Sequence, residues 1–405
     1  MRFLHAADLH IGLRVTRFGA ETNGRVQEAR IASLDRMIRI AQTKSLDFLL
    51  IAGDLFDDNH IDGATARRTL ELLESVRLPV YIIPGNHDPL TADSVYERPP
   101  WSRIGPSSNI IVLRNTNSVA IPGGMLYPCP LTAKNSLDDP TRTIPARSPG
   151  DSAIRIGLAH GSLNDRPNLP PDDHLIDRHT AEMKGLDYLA LGHWHSPSRH
   201  ADRAGVIRTV YPGVHEPMRF RDAPEFGIGW SAYSSASSAD NFGDDGRGRA
   251  LIVEIVHVGA PPVIEEIDTT TFEWRDETFT LRDEADLSTL INDLAHREQR
   301  DRQLLRLHLV GTLPASARMR LDELDQTLSG GQGGVLTQYR WFDLDASRLH
   351  AEPSDTELRD FAGDGIVRLV YDRLKTESAS ADGPTCEIAR QSLLLLYRFA
   401  HEVQR

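Results

Sequence analysis

The sequence is poor in cysteine: two occur in 405 residues, Cys129 and Cys386. Two widely separated thiols exclude a disulfide-rich fold and the clustered thiolates of a structural zinc site. Long apolar runs are also absent, because no stretch approaches the roughly 18 residues that a membrane-spanning helix needs. The first eight residues are too short and too polar for a signal peptide. The sequence therefore predicts a cytoplasmic protein with no membrane span.

The sequence has fewer basic than acidic side chains. Lys and Arg number 45 against 58 Asp and Glu, for a net charge of −13. Such a charge repels polyanions on average. It does not exclude a nucleic acid as partner, because local arginine patches and bound cations set the field where contact occurs. The remaining composition is that of an ordinary globular protein, and the length predicts two or three domains.

Short apolar runs alternate with turn signals over residues 1–275. Residues 2–7, 47–52 and 79–83 are predicted strands, and Arg25–Thr43 is a predicted helix. A second helix is predicted at 64–76, and this order favours a partly parallel α/β sheet. Further strands are predicted at residues 110–113, 154–159, 188–191, 206–211 and 250–257. Because the helical signal between these later strands is weak, we expect a second, largely antiparallel sheet. Residues 231–248 are rich in Ser, Gly and Asp and are predicted to be a mobile surface loop.

The pattern changes after about residue 279. Residues 279–345 are predicted to form a small α/β unit. Its elements are helices at 283–297 and 315–328 and strands at 303–310 and 335–344. Residues 346–405 are predicted to be a helical C-terminal segment, with an apolar stripe over 358–374 and a further helix at 388–403.

Acidic, amide and imidazole side chains gather where predicted strands end. Five segments carry them: Asp8-Leu-His10, Gly53-Asp54, Gly85-Asn86-His87-Asp88, Ala159-His160-Gly161 and Gly192-His193-Trp-His195. Carboxyl ends of strands in an open α/β sheet converge on one crevice, so these side chains are expected to meet. A single such residue is more often a turn or helix cap. Turn preference does not explain five segments that each choose His, Asp or Asn.

Seven of these side chains are candidate metal ligands: Asp8, His10, Asp54, Asn86, His160, His193 and His195. Seven nitrogen and oxygen donors exceed the four of a tetrahedral zinc site. They suit two divalent cations about 3.5–4 Å apart that share one carboxylate. The mixture of imidazole and carboxylate fits manganese, iron or zinc rather than an all-oxygen calcium cage.

These five segments, in this order, resemble the signature blocks of the calcineurin-like metallophosphoesterases. Residues 4–12 (LHAADLHIG) and 51–57 (IAGDLFD) further resemble the SbcD-type branch of DNA-repair exonucleases, as does the turn Tyr211-Pro-Gly213. The superfamily resemblance covers roughly residues 1–275. It implies a four-layer α/β/β/α sandwich, here followed by a small α/β cap domain and a helical tail. One departure stands out: archaeal and eukaryotic nucleases of this branch carry a second catalytic His where this sequence has Asp57.

The resemblance also implies a role for each site residue. Asp8, His10 and His195 would bind one metal, and Asn86, His160 and His193 the other, with Asp54 bridging the two. His87 would be a catalytic imidazole, and Asp88 would orient it. The metals implied are two divalent ions, with manganese preferred.

The function implied is a manganese-dependent exonuclease of DNA repair that hydrolyses DNA phosphodiester bonds by two-metal catalysis. Residues 279–345 would be a cap that selects DNA, and 346–405 would dock an SbcC-type coiled-coil ATPase. Three alternatives stay open: residues 279–345 could be a purely structural domain, residues 346–405 could pack on their own chain, and the protein could be a homodimer. A phosphodiesterase or phosphatase for small molecules such as cyclic nucleotides is the alternative, although residues 279–405 favour a large substrate. A non-catalytic adaptor is disfavoured because all seven donors are retained.

Overall fold

The computed structural model describes residues 1–15, 18–165, 169–220, 247–313, 336–351 and 365–379, with pieces of up to three residues between 358 and 396. The chain divides into two compact units. The first unit is residues 1–275 with 302–304, and the second unit is 276–301 with 305–405. Apart from Arg247 and Gly248, the loop predicted at 231–248 lies outside the described residues. So do the helix predicted at 315–328 and most of the one predicted at 388–403.

The first sheet contains the strands predicted at 2–7, 47–52 and 79–83, and also those predicted at 110–113 and 250–257, which we expected in the second sheet. Its members are β1 (Arg2–Ala6), β2 (Phe48–Ala52), β3 (Val80–Ile83), β4 (Ile110–Val112), β11 (Arg249–Glu254) and β12 (Val263–Asp268). The order is β12-β11-β1-β2-β3-β4. Strands β1 to β4 are parallel, and β11 and β12 join antiparallel. Parallel strands need crossover connections, and the first two crossovers are the two helices that the periodicity predicted.

Helices α1 (Ala20–Thr43) and α2 (Gly63–Ser75) pack on one face of the first sheet. Asp62 caps α2 by accepting hydrogen bonds from the backbone N–H groups of Ala64 and Thr65. The core beneath the helices contains apolar side chains from both layers, among them Leu4, Ile31, Leu34, Leu49, Ile51 and Leu73.

The second sheet differs from expectation. Its strands are β5 (Val119–Ile121), β6 (Gly124–Cys129), β7 (Ile154–His160), β8 (Tyr188–Gly192), β9 (Ser198–Ala201) and β10 (Ile207–Tyr211), in the order β5-β6-β7-β8-β10-β9. Strands β6, β7, β8 and β10 are parallel, so the prediction of a largely antiparallel sheet is wrong. The connections run through loops, short 3₁₀ turns and the five-residue helix α3 (Thr180–Lys184), which leave little helical periodicity to read.

The two sheets pack face to face. Their shared core contains Phe3, Phe48 and Leu50 from the first sheet, and Ile156, Leu158 and Tyr188 from the second. The other face of the second sheet is covered by α3 and neighbouring loops. Helices, two sheets and a thin outer layer give the expected order of layers, and the predicted α/β sandwich is confirmed.

The remaining elements lie mainly in the second unit. Strand β13 (Glu273–Leu281) begins in the first unit and pairs in the order β13-β14-β15 with β14 (Gln303–Leu313) and β15 (Trp341–Ala351). Helix α4 (Glu284–His296) packs on this sheet through Leu287, Leu290 and Leu294, and helix α5 (Ile366–Ser378) follows. In the described part of the chain, no helix is long and apolar enough to cross a membrane.

Candidate metal centre

The five polar segments come together because the parallel strands of both sheets end at one crevice. Strands β1, β2 and β3 lead into the Asp8, Asp54 and Asn86 segments, and β7 and β8 lead into the His160 and His193 segments. Backbone contacts fasten these ends to one another. His10 N–H donates to Asp54 O at 3.0 Å, and His193 N–H donates to Asp8 Oδ1 at 3.0 Å. The second bond joins the two sheets directly.

The first ligand group consists of Asp8, His10 and His195. One ligand atom from each lies within 4.8 Å of the other two. The Nε2 atoms of His10 and His195 are 3.3 Å apart, and His10 Nε2 is 3.6 Å from Asp54 Oδ2. Burial lowers the pKa of His195 well below its ordinary value, with the neighbouring His10 as a further cause. This imidazole is therefore neutral, as a metal ligand must be.

The second ligand group consists of Asn86, His160 and His193. Asn86 Oδ1 lies 2.8 Å from His160 Nε2 and 3.2 Å from His193 Nδ1. His160 Nε2 is also 3.3 Å from Asp54 Oδ2. Asp54 thus faces both ligand groups, which is the arrangement that a shared carboxylate requires.

The spacing and chemistry of these atoms fit cations. Ligand atoms about 2.0–2.2 Å from one ion lie roughly 3 Å apart, as they do here. His160 Nδ1 is 2.8 Å from the carbonyl of Ala52 and must donate to it, so in the neutral ring Nε2 presents a lone pair to the oxygens of Asn86 and Asp54. Lone pairs that face one another need a positive charge between them.

The pKa shifts express the same need for positive charge. Burial opposes protonation of His160, but the Asp54 carboxylate outweighs it and raises the His160 pKa to about 9. Burial likewise opposes ionisation of Asp54, yet the imidazoles of His160 and His10 hold its pKa well below the ordinary range. A proton on His160 partly replaces the charge that a divalent cation would supply.

His87 is a histidine of the cluster that solvent reaches. About 36% of its side chain is exposed, whereas the side chains of His10 and His160 are fully buried. Its Nδ1 donates to the backbone carbonyl of Asp57 at 2.8 Å, and its ring packs edge-on against His10 at 4.6 Å between centroids. His87 therefore stands where a substrate can arrive. Its catalytic role stays a prediction.

Asp88 lies beneath the loop that carries His87, and its predicted role in orienting that histidine stays a prediction. Its carboxylate is fully buried and accepts hydrogen bonds from Gly85 N–H at 2.7 Å, Phe56 N–H at 3.1 Å and the Tyr96 hydroxyl at 2.6 Å. These bonds shape the loop that presents Asn86 and His87, so the influence of Asp88 on the site is exerted through the backbone.

Asp57, which stands where archaeal and eukaryotic nucleases of this branch have a second histidine, contacts the imidazoles of His10 and His87. Its Oδ1 lies 3.1 Å from His10 Nδ1 and 3.9 Å from His87 Nδ1. The contact with His10 places the proton on Nδ1 and leaves Nε2 free for a cation. The departure from the nuclease pattern thus replaces an imidazole with an orienting carboxylate.

Arg30 is a supporting residue that motif reading did not find. It is fully buried on α1 and donates to the carbonyls of Leu9 (2.6 Å), His10 (3.1 Å) and Glu216 (3.0 Å). Burial lowers its pKa to about 10, so the guanidinium stays charged at neutral pH. A sequence signal existed, because Arg30 lies four residues from both Val26 and Leu34 in the apolar stripe of the helix.

Backbone strain also marks the site. Asp8, His10, Asp54 and His193 have positive φ angles of 54°, 42°, 51° and 111°. Half of the eight non-glycine residues with positive φ in the described chain are thus candidate ligands. Such conformations cost of order 1–3 kcal/mol each and persist where the surroundings enforce them.

Glycine permits the closest approach between segments. A Cβ atom on Gly85 would lie 2.1 Å from Asp54 Oδ1, and one on Gly53 would lie 2.2 Å from His160 Nδ1. Gly53 also has a φ of 88°, which disfavours any side chain. The glycines beside the polar residues are therefore part of the packing of the site.

The comparisons with known proteins agree with this geometry. Residues 1–197 match the family model described as calcineurin-like phosphoesterase. This part of the chain is a calcineurin-like phosphoesterase domain. The predicted resemblance to the superfamily is confirmed, and the family supports a metal-dependent hydrolase.

The chain is similar to three curated relatives. The chain is 26% identical over 249 residues to the "Uncharacterized metallophosphoesterase YhaO" of Bacillus subtilis, covering 56% of each chain. It is 26% identical over 242 residues to the "DNA double-strand break repair protein Mre11" of Methanopyrus kandleri, covering 56% of this chain and 51% of that one. It is 35% identical over 94 residues to a subunit of the nuclease SbcCD of Rhodobacter capsulatus, covering 22% of each. The chain spans about half the length of the first two.

Proposed function

We propose that this protein is a manganese-dependent DNA exonuclease of the SbcD type, which acts in DNA repair in the cytoplasm. The observation that carries the proposal is the crevice itself, where the two ligand groups share Asp54 and where about 36% of the His87 side chain is exposed to solvent. The names of the Mre11 and SbcCD relatives support DNA as the substrate. The mixed imidazole, amide and carboxylate donors support manganese, with iron and zinc as the other fitting ions.

The division of labour follows from the geometry. Two divalent cations, when bound, supply Lewis-acid polarisation of a phosphoryl group and a nucleophilic water at neutral pH. Asp54 holds the two ligand groups together, and the first ligand group adds a second carboxylate in Asp8. His87 would donate a hydrogen bond to a phosphoryl oxygen, or a proton to the leaving oxygen, from its solvent-facing position. Its Nδ1–H bond to the Asp57 carbonyl fixes the ring so that Nε2 is the atom available for this task.

We include DNA recognition by residues 279–345 in the proposal. The names of the relatives support it more strongly than the arginines of residues 279–345 do. Among the described ones, Arg297 pairs with Glu277 and Asp293, and Arg306 pairs with Asp276. Guanidiniums that are committed to carboxylates of their own unit are poorly placed to bind phosphate. Arg318 and Arg320 lie outside the described residues.

Docking of an SbcC-type coiled-coil ATPase on residues 346–405 is supported by helix α5. Ile366 is 80% exposed and Leu369 is 71% exposed, and Val370 on the same helix is also exposed. Tyr371 and Leu374 face inward instead. An exposed apolar face on a helix is typical of a protein interaction site, and it favours a partner over packing on the same chain.

The test compares substrates with one preparation of the protein. With MnCl₂, we expect stepwise shortening of end-labelled linear DNA, whereas a cyclic nucleotide should remain intact. Asp54→Ala should remove the activity, and Asp35→Asn, a change at a half-buried position on α1, should not. Hydrolysis of the cyclic nucleotide without any shortening of DNA would replace this proposal with a small-molecule phosphodiesterase.

A further inference from the structure

Two of the cluster histidines are oriented by an acceptor on the side of the ring opposite to the crevice. His10 Nδ1 lies 3.1 Å from Asp57 Oδ1, and His160 Nδ1 lies 2.8 Å from the Ala52 carbonyl. Such an acceptor takes the N–H, so the other nitrogen of the ring keeps its lone pair for a cation. Both of these rings therefore present Nε2 to the crevice.

His193 is arranged the other way round. Its Nδ1 faces Asn86 Oδ1 at 3.2 Å, and its Nε2 lies 3.1 Å from Asp173 Oδ1. Because a carboxylate only accepts hydrogen bonds, Nε2 must be the protonated nitrogen, and Nδ1 then carries the lone pair. Asp173 lies outside the five polar segments, and neither motif reading nor the ligand assignment included it.

Asp173 is itself held in place by a chain of contacts. Its Oδ2 accepts a hydrogen bond from the Ser162 hydroxyl at 2.5 Å, and that hydroxyl accepts one from Trp194 Nε1 at 2.9 Å. The Trp194 ring stacks on Tyr211 at 4.6 Å, and the Tyr211 hydroxyl donates to the carbonyl of Gly161 at 2.7 Å. These contacts bind Asp173 to the ends of β7 and β8, from which His160 and His193 project.

We propose that Asp173 is a positioning residue that fixes the tautomer and orientation of His193, and so sets the cation affinity of the second ligand group. The inference rests on the two-metal centre of the proposed function, but it does not depend on DNA being the substrate. In other metal sites, loss of a comparable outer partner typically lowers metal affinity about 10- to 100-fold. The first ligand group, whose His10 is oriented by Asp57, should not respond.

The affinity test uses calorimetric titration of metal-stripped protein with MnCl₂. Wild type should bind two ions, and Asp173→Ala should lose about 10- to 100-fold in affinity for one of them while the other is unchanged. Asp173→Asn keeps the shape and an acceptor oxygen and should recover much of that loss. Asp172→Ala, the same change one residue earlier, should behave as wild type.

A second measurement reads the tautomer directly and needs no metal. In ¹⁵N-histidine-labelled protein, NMR should show the proton of His193 on Nε2 in wild type and a shift toward Nδ1 in Asp173→Ala. The His193 signals are assigned by their loss in His193→Gln.

The outcomes separate the inference from the proposed function. Two bound ions in wild type with unchanged affinities and an unchanged tautomer in Asp173→Ala would overturn the role of Asp173 alone. Equal weakening of both ions would also contradict it, because that result indicates a general loss of structure. A wild type that binds no ion would overturn the metal centre itself, and the role of Asp173 with it.

Discussion

The two ligand groups differ in charge and in how they are supported. The first ligand group has a carboxylate of its own in Asp8, and Arg30 holds its loop by donating to the carbonyls of Leu9 and His10. The second ligand group is an amide and two imidazoles and has no carboxylate of its own, although Asp54, Asp8 and the outer Asp173 lie close to it. We therefore expect the first ligand group to bind its cation more tightly. One metal centre thus combines a first ligand group that is charged and rigid with a second that is neutral and depends on its surroundings.

Asp54→Asn should have the largest effect, because it should weaken cation binding at both ligand groups. Because Asp54 faces both ligand groups, its loss should weaken both cations and lower turnover by a factor of at least ~10³. Calorimetric titration with MnCl₂ together with a hydrolysis assay measures both effects, and Asp35→Asn is the matched control. Retention of one tightly bound ion would show that Asp54 does not bridge.

His87→Ala should leave both halves of the centre intact and still remove most activity. We expect two bound ions and a fall in turnover of ~10²–10⁴-fold, because the lost group acts on the substrate and not on the cations. His60→Ala, which removes an exposed histidine nearby, is the control. Loss of an ion with an unchanged rate per bound metal would make His87 a ligand instead.

Arg30→Met should affect the first ligand group more than the second, because Arg30 supports only the loop of the first. The carbonyls that Arg30 serves would lose their buried donor, so the free energy of unfolding should fall by about 2–4 kcal/mol. Affinity for the first ion should fall more than affinity for the second. Denaturant unfolding and metal titration check both expectations against Arg25→Met on the exposed face of the same helix. Equal effects on the two ions would refute the idea of separate support.

The last prediction is a pH dependence of stability that comes from Glu216, a residue whose backbone carbonyl accepts a hydrogen bond from Arg30. Burial raises the pKa of Glu216 to about 7, although the Thr271 and Phe272 N–H groups donate to its carboxylate. The folded state then binds this proton more tightly than the unfolded state, so the contribution of Glu216 to stability is fully present below about pH 4.5 and is lost as pH rises through 7. The expected decline is about 3 kcal/mol. Glu216→Gln should flatten the decline between about pH 5 and 8 in metal-free protein, and an unchanged slope would contradict this assignment.

The sequence predicted those parts of the molecule whose signal is local. Helix α1 and strands β1 to β3 carry clear periodicity, and the five polar segments mark the crevice because each follows a buried strand. The parallel order of the second sheet was not predictable in this way, because its crossovers are mostly loops. Arg30 and Asp173 could not be predicted from the sequence for a similar reason. Each acts through a contact with a residue far away in sequence, and neither belongs to a motif.

Contributions from both sheets give the cations a mechanical consequence. Asp54 projects from the end of the first sheet and His160 from the second, so ions bound between them would cross-link two layers otherwise joined mainly by apolar contacts. Binding to the folded state alone raises the free energy of unfolding by mass action. Chelation should therefore lower the melting temperature of the domain as a whole, and amide exchange should quicken on both sides of the sandwich. The ions would then stabilise the fold as well as take part in catalysis.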